Sequence, residues 1–382
     1  MQVQVEAGAG AMTWIGWLRV FAILAVFFYH SLHFFDPGEW SVKNPTLYPW
    51  VGEFMALFGL YVMPLIFLIS GEAVYYASRK GSAARFAWDK VLRLLVPLLI
   101  GIFTFSPTQV YVERVSHGQF QGSFFQFLPH YFEGVYTVPA GSGNFALHGM
   151  HLWYLLALFV LTFLFMPLFW LMRGADGTRA LRRLGDVLAL PGVLLLLVLP
   201  TIVLQNLTNS GPMGGFYLSM WRPVHYIWFF LSGYLIASLE RLQQRIVQAR
   251  WVCLALTVLL MALSLAGIFG LVDHPDVAIW PGLYACLGFS MKHLTRNNRT
   301  LAYANPAVMP FYILHQNVLL WVGFFVVQWA VPDAARYAIS AVSSFAACML
   351  LYEYAIRRAD VLRILFGMKT RRRATAATQP AV

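Results

Sequence analysis

Ten runs of roughly twenty apolar residues, joined by short connections, constrain this chain more than any other feature. They lie at 12–35, 50–77, 91–111, 150–172, 187–205, 224–239, 251–270, 277–291, 306–330 and 335–356. A helix needs about 20 such residues to cross a hydrocarbon core of about 30 Å. Within lipid every backbone amide must be bonded internally, and a helix does this within one segment. The pattern predicts an all-α fold, a polytopic transmembrane bundle of about ten spans. The eighth run is short and holds Pro281-Gly282, so a broken or tilted helix is expected there.

Composition excludes the soluble alternatives. Charged residues make up 11% and hydrophobic ones 59%, whereas an ordinary soluble domain carries about 25% charge. Too little polar surface remains to cover a water-facing exterior, and the same figures exclude disorder. The net charge of +11 would suggest nucleic acid in a soluble chain. Here 21 of the 27 basic residues fall in 78–90, 173–186, 240–250, 292–304 and the tail from 357. Lys43, Arg114, Arg222 and Arg336 fall on the other side, and Arg19 and Arg93 lie within apolar runs. Cytoplasmic loops collect Lys and Arg, so both termini are expected in the cytoplasm, with the bilayer rather than nucleic acid as partner.

The three cysteines, Cys253, Cys286 and Cys348, are far apart in apolar runs and read as packing residues, with no metal site. No basic residue precedes the first run, which is too long for a signal peptide, so it is expected to be retained as a span. Residues 1–368 read as one membrane domain and 369–382 as a basic tail suited to anionic lipid heads. The outer loop 112–149 is too short for an independent domain but long enough to cap a site on the outer face.

Ionisable groups within spans are costly and therefore mark candidate sites. Arg19 and His30 are 11 residues apart. On a helix this places them on one face, about 16 Å apart along the axis. Arg19 then sits near the cytoplasmic entrance and His30 in the outer half, with His33 one turn beyond. Glu72 follows Ser70-Gly71, with Arg19 and Arg93 as alternative partners. Arg79, Lys80, Arg85, Lys90 and Arg93 form a cationic mouth suited to a polyanion such as a CoA diphosphate, although positive-inside bias alone explains the first three. His148, His151 and Trp153 open the fourth span, Arg222 and His225 the sixth, and His315-Gln316-Asn317 lies within the ninth. Glu53 could orient an imidazole of the first span, with Asp36 as competitor. Each histidine has a structural alternative, a hydrogen bond to backbone or water, and Arg19 could simply snorkel.

Several strings then match one family in order. The Arg19…His30 spacing resembles the Arg-x10-His motif of the acyltransferase 3 family of membrane acyltransferases. Phe67-Leu-Ile-Ser70-Gly71 resembles its aromatic-x-x-Ser-Gly motif, and Lys90-Val-Leu-Arg93-Leu-Leu-Val-Pro97 its Arg-x-x-Arg-Leu-x-x-Pro element. His151-Leu-Trp153-Tyr-Leu is similar to its His-x-Trp-Phe-Leu string, and Pro310-Phe-Tyr312-Ile-Leu-His315 to its late Tyr-x-x-His string. That last string, with Leu351-Tyr-Glu353…Arg363-Ile-Leu-Phe-Gly367, looks most like the glucan succinyltransferase branch containing glucan biosynthesis protein C. Lys90 departs from the pattern, giving a point charge where a bidentate fork is usual, and so does Glu72.

The resemblance implies transfer of a succinyl or acetyl group from cytoplasmic acyl-CoA to a carbohydrate hydroxyl, on a periplasmic glucan for this branch. It implies a multi-pass protein of a bacterial inner membrane. His30 is the expected catalytic residue, as general base or as an acylated intermediate, with Glu53 orienting it. Arg19, Ser70, Lys90 and Arg93 are the expected acyl-CoA-binding residues, and His151, Trp153 and His315 face the acceptor. Acyl-CoA is a substrate here, with no tightly bound cofactor. Two other classes stay open: a secondary transporter of a small anionic or sugar substrate, and a haem protein using His30, His151, His225 and His315.

Overall fold

The computed structural model describes residues 2–137, 139, 141–190, 192–210, 223–268 and 275–371. Arg222, the side chain of His225 and the tail beyond residue 371 lie outside the described residues. Regular structure among the described residues is helical, apart from an isolated bridge between Val135 and Phe145. The helices are α1 (Gln2–Leu32), α2 (Pro49–Ser78), α3 (Ala83–Lys90), α4 (Val96–Ser116), α5 (Phe124–Phe127), α6 (Trp153–Leu164), α7 (Met166–Leu171) and α8 (Ala175–Leu188). They continue with α9 (Leu199–Ser210), α10 (Pro223–Ser238), α11 (Glu240–Leu265), α12 (Pro275–His293), α13 (Arg299–Val326), α14 (Asp333–Leu351) and α15 (Asp360–Leu365).

Among the described residues, six segments are long and apolar enough to cross a membrane: Thr13–Leu32, Pro49–Ser78, Ala83–Ser116, Glu240–Leu265, Arg299–Val326 and Asp333–Ile356. Met150–Leu164 and Tyr226–Ser238 are apolar but shorter. Two expectations change. The run 187–205 is not one helix, because α8 stops at Leu188, Gly192 takes a left-handed φ of 80°, and a 3-10 stretch Val193–Val198 leads into α9. The eighth run is not broken, since α12 continues through Pro281.

The chain forms two compact units. The first comprises residues 1–22, 57–86 and 161–305, the second 23–56, 87–160 and 306–382. In the first unit α2 and α10 meet backbone to backbone. A Cβ on Gly71 would lie 1.8 Å from the Phe230 carbonyl oxygen, and one on Gly233 1.9 Å from that of Leu68. Small residues at a crossing let two helices approach this closely, which gives the Ser70-Gly71 string a packing role. Phe67, one turn earlier, stacks on Tyr226 at 4.6 Å.

In the second unit α4 continues from α3 through a π-helical turn, Val91–Leu95, with Pro97 just inside. The segment between α4 and α6 carries its own small core of Val110, Phe127, Tyr131, Tyr136, Ala146 and Met150. Lys43 ties down the loop after α1 by donating to the His33 carbonyl at 2.6 Å and to the Asp36 carbonyl at 2.9 Å. Arg336 on α14 reaches the same loop through Asn44 Oδ1 at 3.1 Å and is bonded to Asp333 at 2.7 Å.

Candidate active site

The last turns of α1 and the middle of α13 come together in the second unit. Gly323 allows this approach, because a Cβ there would lie 2.3 Å from the Phe34 ring. Phe27, Phe311 and Phe345 pack edge to face or tilted, with centroids 5.4–6.2 Å apart, and the Phe27 and Phe311 rings form an aromatic wall beside His315. Against that wall His30 Nδ1 and His315 Nε2 are 3.0 Å apart, with the two rings within 2° of parallel.

With both rings uncharged, the surrounding bonds fix their protons. His315 Nδ1 lies 2.7 Å from the Tyr312 carbonyl oxygen, which can only accept, so Nδ1 carries hydrogen. His315 Nε2 is then the acceptor, and His30 Nδ1 must donate to it. The lone pair of His30 is thereby left on Nε2. His315 is fully buried while His30 is half-buried, so the basic nitrogen belongs to the more accessible ring of the pair.

His151 joins the cluster from the start of α6. Its ring stands perpendicular to that of His315, with centroids 5.2 Å apart. Its Nε2 lies 3.2 Å from the carbonyl oxygens of both Tyr312 and Ile313 and therefore donates. That assigns a lone pair to His151 Nδ1, which is buried without a hydrogen-bond partner among the described residues. An orphaned buried acceptor costs about 1–3 kcal/mol, so a group that satisfies it is worth looking for.

Trp40 covers the other side. Its ring stacks on His33 at 4.5 Å and lies 5.4 Å from His30, and its indole Nε1 is buried without an acceptor among the described residues. His33 Nδ1 bonds Asp36 at 3.2 Å, and Lys43 reaches the same carboxylate oxygen at 2.6 Å. Burial opposes the charge on Asp36, yet the bonds from His33 and Lys43 outweigh it and hold the carboxyl below its ordinary value. The Lys43 ammonium is pushed down by burial, with Asp36 opposing that shift. His148 is pushed down to about 4 by desolvation alone.

His30, His151 and His315, expected in two separate roles, therefore form one cluster. Glu53 is exposed near the start of α2, and the partner of His30 Nδ1 is His315. Asp36, the competitor, serves His33. Trp153 is half-buried at the first position of α6. Arg19 and Ser70 belong to the first unit, where Ser70 Oγ donates to the Ile66 carbonyl at 2.8 Å. Arg19 lies within electrostatic reach of Glu72, whose two buried carboxylate oxygens accept no hydrogen bond among the described residues. Lys90 and Arg93 belong to the second unit at the π-helical turn, where the Asp89 carboxylate acts electrostatically on Arg93. Sequence reasoning missed Trp40 and Lys43, because a lone Trp and a loop Lys carry no spacing signal. It also missed the Tyr312 carbonyl, which is not a side chain.

The chain matches the acyltransferase domain family over residues 12–353. It belongs to the acyltransferase 3 family. No curated protein and no solved structure matches it. The matched range contains the whole histidine cluster and every other candidate residue of this acyltransferase 3 chain. Membership supports a membrane acyltransferase.

Proposed function

We propose that this protein moves an acyl group from a cytoplasmic acyl-CoA to a hydroxyl of a carbohydrate on the far side of the membrane, with His30 as general base. The observation that carries this reading is the His30–His315 bond, which leaves a lone pair on His30 Nε2. A sugar hydroxyl is a weak nucleophile until its proton is accepted. In the proposed step the hydroxyl proton passes to His30 Nε2 while its oxygen bonds the thioester carbonyl carbon. The carbon–sulfur bond then breaks, and the departing thiolate takes that proton back as a free thiol.

His151 Nδ1 supplies an acceptor for a second hydroxyl of the same sugar, which suits the acceptor side. Arg19, Ser70, Lys90 and Arg93 are assigned to the donor, with Arg93 and Lys90 taking phosphate charge. Succinyl or acetyl is the proposed acyl group, a periplasmic glucan the proposed acceptor, and a bacterial inner membrane the proposed site. The test is transfer of labelled acyl groups by purified protein given acyl-CoA and envelope glycan. His30→Ala is expected to lower turnover by roughly 10²–10⁴-fold in a folded protein, since that is the usual worth of a positioned base. Full turnover by His30→Ala would remove His30 from the mechanism.

A further inference from the structure

Away from the histidine cluster, the end of α4 and the segment that follows it line an open hollow of about 340 Å³. That is the lower end of the roughly 300–1,000 Å³ typical of small-ligand sites. Its wall includes Arg114, Gln119, Phe120, Glu133, Ser142 and Asn144. The hollow lies wholly within the second unit.

The chemistry of the wall selects a class of ligand. Arg114 is already committed: Nε donates to Asn144 Oδ1 at 2.9 Å, Nη1 to Gln119 Oε1 at 2.6 Å and Nη2 to the Gly143 carbonyl at 2.8 Å. Its charge is matched by Glu113 at 3.4 Å. This cation therefore braces the wall instead of waiting for a phosphate or carboxylate. His130 Nδ1 donates to Glu133 Oε1 at 2.9 Å, so an uncharged His130 presents an acceptor at Nε2 beside a carboxylate. Both side chains are about half exposed or more, at 49% and 67%. Phe120 adds an aromatic face, 5.8 Å from the His130 ring. Acceptors for hydroxyls beside an aromatic face, with a carboxylate that repels anions, suit a neutral polyhydroxylated ring.

The wall is also tied to the histidine site. Glu113, next in the chain to Arg114, accepts from Tyr136 and from Ser41, each at 2.8 Å. Ser41 follows Trp40, whose ring lies beside His30. We infer that this hollow is a carbohydrate subsite, holding one neutral sugar unit of an oligosaccharide acceptor at a distance from the unit that presents the reacting hydroxyl. Its catalytic relevance rests on the acyl-transfer reading, whereas the binding itself does not.

The test is binding of neutral cello-, laminari- and malto-oligosaccharides to purified full-length protein without acyl-CoA, followed by titration calorimetry, with hyaluronan oligosaccharides as the anionic comparison. Wild type and His30→Ala are expected to bind at least one neutral series saturably and more tightly than hyaluronan. Glu133→Ala removes the carboxylate and Ser142→Trp fills the space; each is expected to weaken binding at least about tenfold. Absence of binding by wild type, wild-type affinity in both variants, or preference for hyaluronan overturns the subsite. Sugar binding that depends on Glu133 without any acyl transfer would instead overturn the acyl-transfer reading and leave the subsite standing.

Discussion

The position of one proton separates a usable base from a buried ring. Tyr312 is the seventh residue of the apolar run that begins at 306, and its carbonyl, not a carboxylate, anchors the relay through His315 to His30. Replacing His315 by Ala removes the acceptor of the His30 Nδ1 hydrogen and frees the ring to flip. Turnover is expected to fall by about 10²-fold or more, as for a base that loses its orientation. His315→Gln, whose carbonyl oxygen can still accept that hydrogen, is expected to recover part of the loss. Measured turnover of the three proteins decides it, and equal rates would show that His315 only fills space. The polar residues of this cluster were visible in the sequence one at a time. Their meeting was not, since His30 and His315 are 285 positions apart and nothing local announces a bond between them. Asp36 was visible too, but its geometry gives it to His33.

Among the elements, long apolar helices follow directly from the sequence because lipid leaves the backbone no other partner. Interruptions are harder to read. Gly192 ends a continuous run, whereas Pro281 does not interrupt α12, and composition alone does not distinguish the two. The Ser70-Gly71 string, read from resemblance as a donor motif, also has a plain packing explanation at the α2–α10 crossing. Gly71→Ala would set a methyl group 1.8 Å from the Phe230 carbonyl oxygen. Overpacking of this kind costs about 1–3 kcal/mol where the structure can relax, and more against rigid backbone. Thermal unfolding in detergent is expected to show a clear drop in Tm, and an unchanged Tm would mean that α2 and α10 separate freely.

For the whole molecule, the asymmetry of Lys and Arg remains the guide to orientation, because charge placement relative to a membrane is a property of the chain in its bilayer. With the native cysteines replaced, Ser123→Cys between α4 and α6 is expected to react with an impermeant maleimide on intact cells. Ser82→Cys and Arg358→Cys are expected to react only after permeabilisation. The reverse pattern would invert the protein and move His30 to the cytoplasmic half.

The direct partner of His30 is an uncharged ring, and this has a kinetic corollary. Once the two imidazoles hold an extra hydrogen ion, they share a single positive charge beside a phenylalanine wall, where keeping it is expensive. Such a dyad has room for one proton per cycle and strong reason to shed it. The catalyst would reset itself as the sulfur leaves, with no need to draw on bulk water.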